Sequence, residues 1–219
     1  MEREDLPVLD LVPGGSGDST GFLGPPRYTA SNVANPGYLV VVINPQGRYK
    51  SECQEGYNGI IHQDGLADVI RFASCLQEAK DGRVGLVSFD FGVTMASGSL
   101  ARHPDLPVAF LMGWEGPADR NDTGRCDENH TGHLQEVVDC SDEALWEEHE
   151  ALTFITRIEV PFQRLQSDTD HAQPDDDHAI AMIHAAIVGG VPWVRLNDLP
   201  ANLTIDIQNQ PPMLPESTD

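Results

Sequence analysis

The chain has 219 residues, 40% of them apolar, and a formal net charge of −22 from 13 basic and 35 acidic side chains. That length suffices for one domain with a sizeable core, and no apolar run approaches the ~20 residues of a membrane span. So acidic a surface repels nucleic acid and anionic membranes, which leaves a small molecule as the expected partner and oligomeric state open.

Lys50 and Lys80 are the only lysines. An acidic, lysine-poor surface fits a protein adapted to high salt and equally one that is merely acidic. The opening M-E-R-E-D-L-P lacks the basic-then-apolar plan of a signal peptide, so a cytoplasmic location is the default expectation. Cys53, Cys75, Cys126 and Cys140 show no C-x-x-C spacing, which argues against structural zinc. No metal or other cofactor is implied. Cys126 and Cys140 flank a polar stretch and could bridge in an oxidising compartment; free thiols are the expectation otherwise.

In chain order, Pro7 to Val12 reads as a strand running into P-G-G-S-G. The pair Gly14–Gly15, followed by Ser16, can bring backbone N–H groups close to an anion. Residues 19–36, rich in Gly, Pro, Ser and Asn, read as loop. Tyr38 to Ile43 is a buried strand closed by N-P-Q-G. Leu66, Val69, Ile70, Phe72, Ala73 and Leu76 recur at helical spacing and define an amphipathic helix over Gln63–Glu78.

A strand over Val84–Phe89, a helix from Val93 to Ala101 and a strand over Val108–Met112 follow with short connections. This alternation predicts a parallel sheet covered on both faces. Gly113 to Asp142 is a long polar excursion without periodicity, and such loops are often functional. Glu143 to Ile155 resumes a helix, Pro161 to Gln166 a strand, Asp177 to Val188 a helix and Val191 to Leu196 the last strand. From Gln208 the chain reads as a loose tail. No repeat or linker divides residues 1–219, so a single domain is expected.

The stretch R-V-G-L-V-S-F-D-F-G-V-T-M-A, Arg83 to Ala96, organises the rest. A strand turns sharply into a helix through Ser88, Phe89, Asp90, Phe91 and Gly92. Small residues two places either side of the central one let the backbone fold tightly and expose that central side chain, the plan of a nucleophile elbow. Here the exposed side chain is Asp90, where serine or cysteine is usual.

The element order and this elbow resemble the α/β-hydrolases, and V-G-L-V-S-F-D-F-G-V is most similar to the elbow of the dienelactone hydrolase family. The resemblance covers nearly the whole chain, without the first strands of the usual sheet. It implies a hydrolase of small esters, lactones or related substrates. The backbone N–H of Phe91, and one from Gly14, Gly15 or Ser16, would then form the oxyanion hole. Residues 113–142, with Trp114, would roof the pocket. It also implies an acid after the penultimate strand, where L-Q-S-D-T-D-H offers Asp170, with Asp168 as the alternative.

The family's histidine follows the last strand. Here that loop reads N-D-L-P-A-N, with Asn197 and Asn202 and no histidine. The two departures fall on the two residues that do the family's chemistry. Aspartate at the elbow resembles the haloalkane dehalogenases and epoxide hydrolases, in which a carboxylate attacks carbon and forms an alkyl ester. That route needs a base, and His171, His178 and Glu115 are the candidates. His184 reads as a core or surface residue, and a silent protein retaining the fold for binding is the alternative. Asp119, Asn121 and Thr123 follow the oxygen-ligand alternation of a calcium loop, but His130 stands where its closing glutamate would be. His130 and His133 read as exposed.

Overall fold

The computed structural model describes residues 5–25, 29–123, 126, 139–167 and 177–200. Among these residues, seven strands form one sheet: β1 (Leu6–Val12), β2 (Leu39–Val42), β3 (Ala79–Phe89), β4 (Val108–Trp114), β5 (Phe162–Leu165), β6 (Val194–Leu196) and β7 (Leu199–Pro200). Their order is β2-β1-β3-β4-β5-β6-β7, parallel throughout except for the antiparallel pair β6–β7. The helices are α1 (Thr20–Leu23), α2 (Thr29–Ala34), α3 (Ile60–Ser74), α4 (Gly92–Arg102), α5 (Arg120–Thr123), α6 (Glu143–His149), α7 (Ala151–Ile155) and α8 (Asp177–Gly189). No helix among the described residues is long and apolar enough to cross a membrane.

The period-two alternation of β1 explains the layering. Val8 and Val12 point into the large core with Leu66 and Ile70 of α3, Val93 and Met95 of α4, Ile155 of α7 and Met182 of α8. Leu11 points to the opposite face, where Phe22 of α1 and Ala30 of α2 cover it. The sheet is therefore covered on both sides, one heavily and one by two short helices. Each side chain such as Leu86 or Leu111, wholly inaccessible, contributes ~1.5–3 kcal/mol of burial. Helix α4 enters the core with small residues, and Gly98 abuts the amide of Gln63 on α3.

Several boundaries differ from the sequence reading, each for a local reason. Residues 19–36 contain the short helices α1 and α2, recruited to cover Leu11. Strand β3 begins at Ala79, not Val84, because Ala79 pairs with Leu6 and a register shift before Val8↔Val84 absorbs the intervening residues. The helix expected over Glu143–Ile155 is two helices broken at Glu150, whose backbone is extended (φ −103°, ψ 114°). The Glu150 carboxylate there accepts from both the backbone N–H and Nε of Arg120. Strand β4 runs on to Trp114, held between Phe89 of β3 and Leu165 of β5. Cys126 and Cys140, expected as free thiols, form a disulfide across the polar excursion, while Cys53 and Cys75 are free and exposed.

Candidate active site

The chain leaves β1 for β2 on one side and returns through α3 to β3 on the other. The connections after β1 and β3 thus diverge at the carboxyl edge of the sheet, the switch point where ligands bind in open α/β folds. Both expected site segments sit there: the P-G-G-S-G turn after β1 and the elbow after β3.

Asp90 follows β3 directly and has φ 45°, left-handed backbone that costs a non-glycine residue about 1–3 kcal/mol. Its N–H donates to the Trp114 carbonyl at 2.8 Å, and its carbonyl accepts from Val93 at 3.1 Å. The turn is thus tied to β4 on one side and to the start of α4 on the other. Half-buried Asp90 takes the elbow position, as the spacing of Ser88 and Gly92 led us to expect.

The small residues are required by close approach. A Cβ at Gly14 would lie 2.7 Å from Asp90 Cβ and from the Phe89 carbonyl oxygen. A Cβ at Gly92 would strike the Pro13 carbonyl, and one at Gly116 (φ 100°) the Asp90 carbonyl. Three connections, after β1, β3 and β4, therefore meet around Asp90, the first at its side chain and the last at its backbone carbonyl. Asp90 Oδ2 lies 3.0 Å from the point a Gly14 Cβ would occupy and 3.4 Å from that of Gly15. The carboxylate rests on the glycine turn.

Trp114 is half-buried and stacks on Phe89 at 5.8 Å between ring centroids, and Phe22 meets Phe89 at 5.2 Å. Glu115 has φ 54°, with its N–H on the Leu165 carbonyl at 2.8 Å, one residue from the Gly116–Asp90 contact. Arg120 is engaged by Glu143 and Glu150. The surface concavity beside Arg120 is lined by residues of α5, α6 and α7 and by none of the elbow or glycine turn.

His178 is buried in the first turn of α8, in the helix that also buries Ala179, Met182 and Ile183. Asp168, Asp170 and His171 lie outside the described residues, as do His130, His133 and Asn202. Asn197 begins the connection where the resemblance places a histidine. It is buried with φ 51°, and its side chain accepts from Gln166 N–H at 2.9 Å and donates to the Gln166 carbonyl at 3.1 Å. This mimics a strand pairing and fixes the end of β5.

Sequence reasoning missed the buried polar residues beneath these turns. Arg164 of β5, wholly inaccessible, donates to the Gly116 carbonyl at 2.7 Å and to Gln166 Oε1 at 2.6 Å. Arg48 donates two 2.8 Å hydrogen bonds to Glu55, one to the Gly17 carbonyl and one to Asn58. Burial works to raise the Glu55 pKa, but hydrogen bonds and charge from Arg48 outweigh it and hold the carboxyl below its ordinary value. His62 is pushed below its usual value chiefly by burial, and its Nδ1 accepts the Asn58 N–H at 3.0 Å. The one sequence signal was Asn58–Gly59, a turn dipeptide, which says nothing of contacts 33 residues away.

A seven-stranded sheet with β1 between β2 and β3, and a strained residue at the β3–α4 turn, defines the α/β-hydrolase fold. No protein-family profile matches the chain, and no curated protein matches it by sequence. Among solved structures it is similar to acylaminoacyl peptidase of Pyrococcus horikoshii, with TM-score 0.66 and 19% identity over 89% of this chain and 32% of that one. An esterase of Pyrococcus furiosus superposes with TM-score 0.64 and 17% identity, covering 94% and 78% of the two chains. A Klebsiella pneumoniae protein assigned as a dienelactone hydrolase gives TM-score 0.57 and 14% identity, over 90% and 74%. The chain thus spans about a third of the peptidase and most of the two smaller proteins.

Proposed function

We propose that this protein is a hydrolase whose nucleophile is the Asp90 carboxylate and whose substrate is a small molecule attacked at an alkyl carbon. The observation that carries this reading is the seat of Asp90: a left-handed elbow with Oδ2 lying against the Gly14–Gly15 turn. An Asp90 oxygen displaces the leaving group of a haloalkane, opens an epoxide, or attacks the alkyl carbon of a small ester or lactone. Each leaves an alkyl ester on Asp90. Acyl transfer to Asp90 from an ordinary ester would instead give a mixed anhydride, a poor route.

In the second step, water loses a proton to a base and adds to the ester carbonyl. The negative charge then develops on an oxygen of Asp90 itself, so its stabilising donors must sit beside that carboxylate. We assign these donors to the glycine turn, against which Asp90 Oδ2 lies, and to the N–H of Phe91, the residue after Asp90. Collapse of the adduct releases the alcohol and restores the carboxylate. For the base we take Glu115, the residue before the Gly116 that meets the Asp90 carbonyl, or else His171 or His178 oriented by Asp170. Trp114 forms the apolar wall, and the roof expected of residues 113–142 falls in part on residues outside those described. The Cys126–Cys140 bridge favours an oxidising compartment over the cytoplasmic default.

A second reading, a silent protein that binds without turnover, is favoured by Asn197, whose side chain is consumed in fixing β5 where the resemblance calls for a base. Turnover of an epoxide, a haloalkane, a lactone and p-nitrophenyl esters separates the two, measured on this protein, Asp90→Ser and Asp90→Ala. Epoxide or haloalkane turnover lost in both variants supports the nucleophile. Ester turnover appearing only in Asp90→Ser means an intact hole and base without a working aspartate, and no turnover anywhere supports the silent reading.

A further inference from the structure

Between β2 and α3 the chain makes a costly loop. Tyr49, Cys53, Tyr57 and Asn58 all have positive φ, at 51°, 78°, 44° and 66°, and Gly47 adds a fifth at 76°. Four non-glycine residues held this way within ten positions persist only where the surroundings over-determine the backbone, and such strain gathers at functional sites.

What over-determines it is a buried polar cluster with Asn58 at its centre. Asn58 is wholly inaccessible, and each of its four polar groups is engaged. Its N–H donates to His62 Nδ1 at 3.0 Å, and its carbonyl accepts from Gln63 Nε2 at 3.1 Å. Its side-chain oxygen accepts from Arg48 Nη2 at 3.0 Å. Its side-chain nitrogen donates in two directions, to the Phe91 carbonyl at 3.1 Å and to the Gly15 carbonyl at 3.4 Å. One amide group therefore joins the glycine turn after β1 to the elbow after β3. Arg48 holds the same turn at the Gly17 carbonyl, 3.1 Å away.

We infer that Asn58 is a positioning residue for the oxyanion hole, a brace that sets the gap between its two halves; the inference rests on the hydrolase reading above. The physical argument has two parts. In a planar trans peptide the C=O and N–H point opposite ways, so holding the Gly15 carbonyl from below fixes the direction of the Ser16 N–H. Holding the Phe91 carbonyl fixes the Phe91–Gly92 peptide, the one that follows the Asp90–Phe91 peptide whose N–H is the expected first donor. The guanidinium of Arg48, drawing on the oxygen of the Asn58 amide, polarises it and strengthens donation from its nitrogen. A hole gains its effect from donors already in place, and one misplaced donor costs about 10²–10³-fold in kcat.

The test is Asn58→Asp, which keeps size and the acceptor for Arg48 and deletes the donor to both carbonyls. Asn58→Gly accompanies it, since glycine accepts the φ of 66° without strain and keeps the variant folded. Amide hydrogen exchange is read at Gly17 and Thr94, whose N–H groups bond within the two braced turns, to Gly14 and Phe91. Exchange is expected to quicken at least about tenfold at these two amides, with β1 and β3 as protected as before. For whichever substrate the protein turns over, kcat falls about 100-fold and KM changes about twofold or less. Unchanged exchange at Gly17 and Thr94 in a folded variant overturns the brace. Because exchange needs no substrate, it decides the brace even if no turnover is found, an outcome that would sink the hydrolase reading alone. Quickened exchange with kcat unchanged would show that Asn58 braces the turns but does not position the hole.

Discussion

Replacing Asp10 by asparagine is expected to stabilise the protein at neutral pH and to leave it unchanged in acid. Asp10 sits mid-way along β1, beside Val41 of β2 and Leu86 of β3, on the face that carries Val8 and Val12 into the large core. It is wholly inaccessible, and among the described residues neither carboxylate oxygen has a hydrogen-bond partner. Burial pushes its carboxyl from an ordinary 3.8 up to about 7. The folded chain therefore holds Asp10 protonated at mildly acid pH, where the unfolded chain has it ionised. Its contribution is present in full below about pH 4, declines as pH rises towards 7 and is flat above that. A rise of about three pKa units corresponds to a penalty on the order of 4 kcal/mol at pH 8.

Asparagine has the same shape, cannot ionise and keeps the buried polar group, so the comparison isolates the charge. Urea unfolding of parent and Asp10→Asn at half-unit steps from pH 4 to 8 should give coincident stabilities at pH 4. By pH 8 the variant should lead by about 4 kcal/mol, about 8–16 °C in Tm for a domain of this size. Other titrating groups cancel in the difference. A parent–variant gap that stays constant from pH 4 to 8 would refute the reasoning.

Arg48→Met leaves the Glu55 carboxylate without its cationic partner and should cost about 3 kcal/mol by urea unfolding. The pair's contribution in the parent, present above the ordinary glutamate range, should be lost as acid protonates Glu55. Thiol titration of the folded protein should find two reactive groups, Cys53 and Cys75, rising to four on reduction. Reduction opens a cross-link between residues 14 apart and should lower stability by about 3 kcal/mol; four reactive thiols without reductant would contradict the bridge. At a net charge of −22, raising KCl from about 0.1 to 2 M should raise Tm by about 5 °C or more, because salt screens self-repulsion. A Tm that falls with salt would count against this.

The architecture was legible where a single rule decides an element. Apolar runs such as Leu39–Val42, which lies half-buried at the sheet edge and not buried as its composition suggested, and the apolar spacing of α3 announce themselves, and small-x-Asp-x-Gly marked the elbow that Asp90 occupies with its positive φ. The glycines at 14 and 92 were legible as a turn and an elbow, but that they touch each other's segments was not. Boundaries failed where tertiary pairing overrode local pattern, as at the bulge that starts β3 at Ala79 and at the Arg120–Glu150 contact that splits α6 from α7. The cluster of Arg48, Glu55, Asn58 and His62 was invisible, because polar residues in a Gly- and Tyr-containing stretch read as solvated loop. Only the fold shows that the loop is folded inwards beneath two turns at the carboxyl edge of the sheet. Asn197 was noticed as a missing histidine, and its pairing with Gln166 supplies a structural reason for asparagine at that place.

The central claim, that Asp90 forms a covalent ester with substrate, is tested most directly by a single turnover in ¹⁸O-labelled water. The substrate is whichever epoxide, haloalkane, ester or lactone the protein accepts, and the active-site peptide is weighed afterwards. If Asp90 is the nucleophile, its carboxylate takes up one ¹⁸O and the first product carries unlabelled oxygen from the enzyme. If water attacks the substrate directly, the product carries the label, the Asp90 peptide stays unlabelled, and the account of this site is wrong.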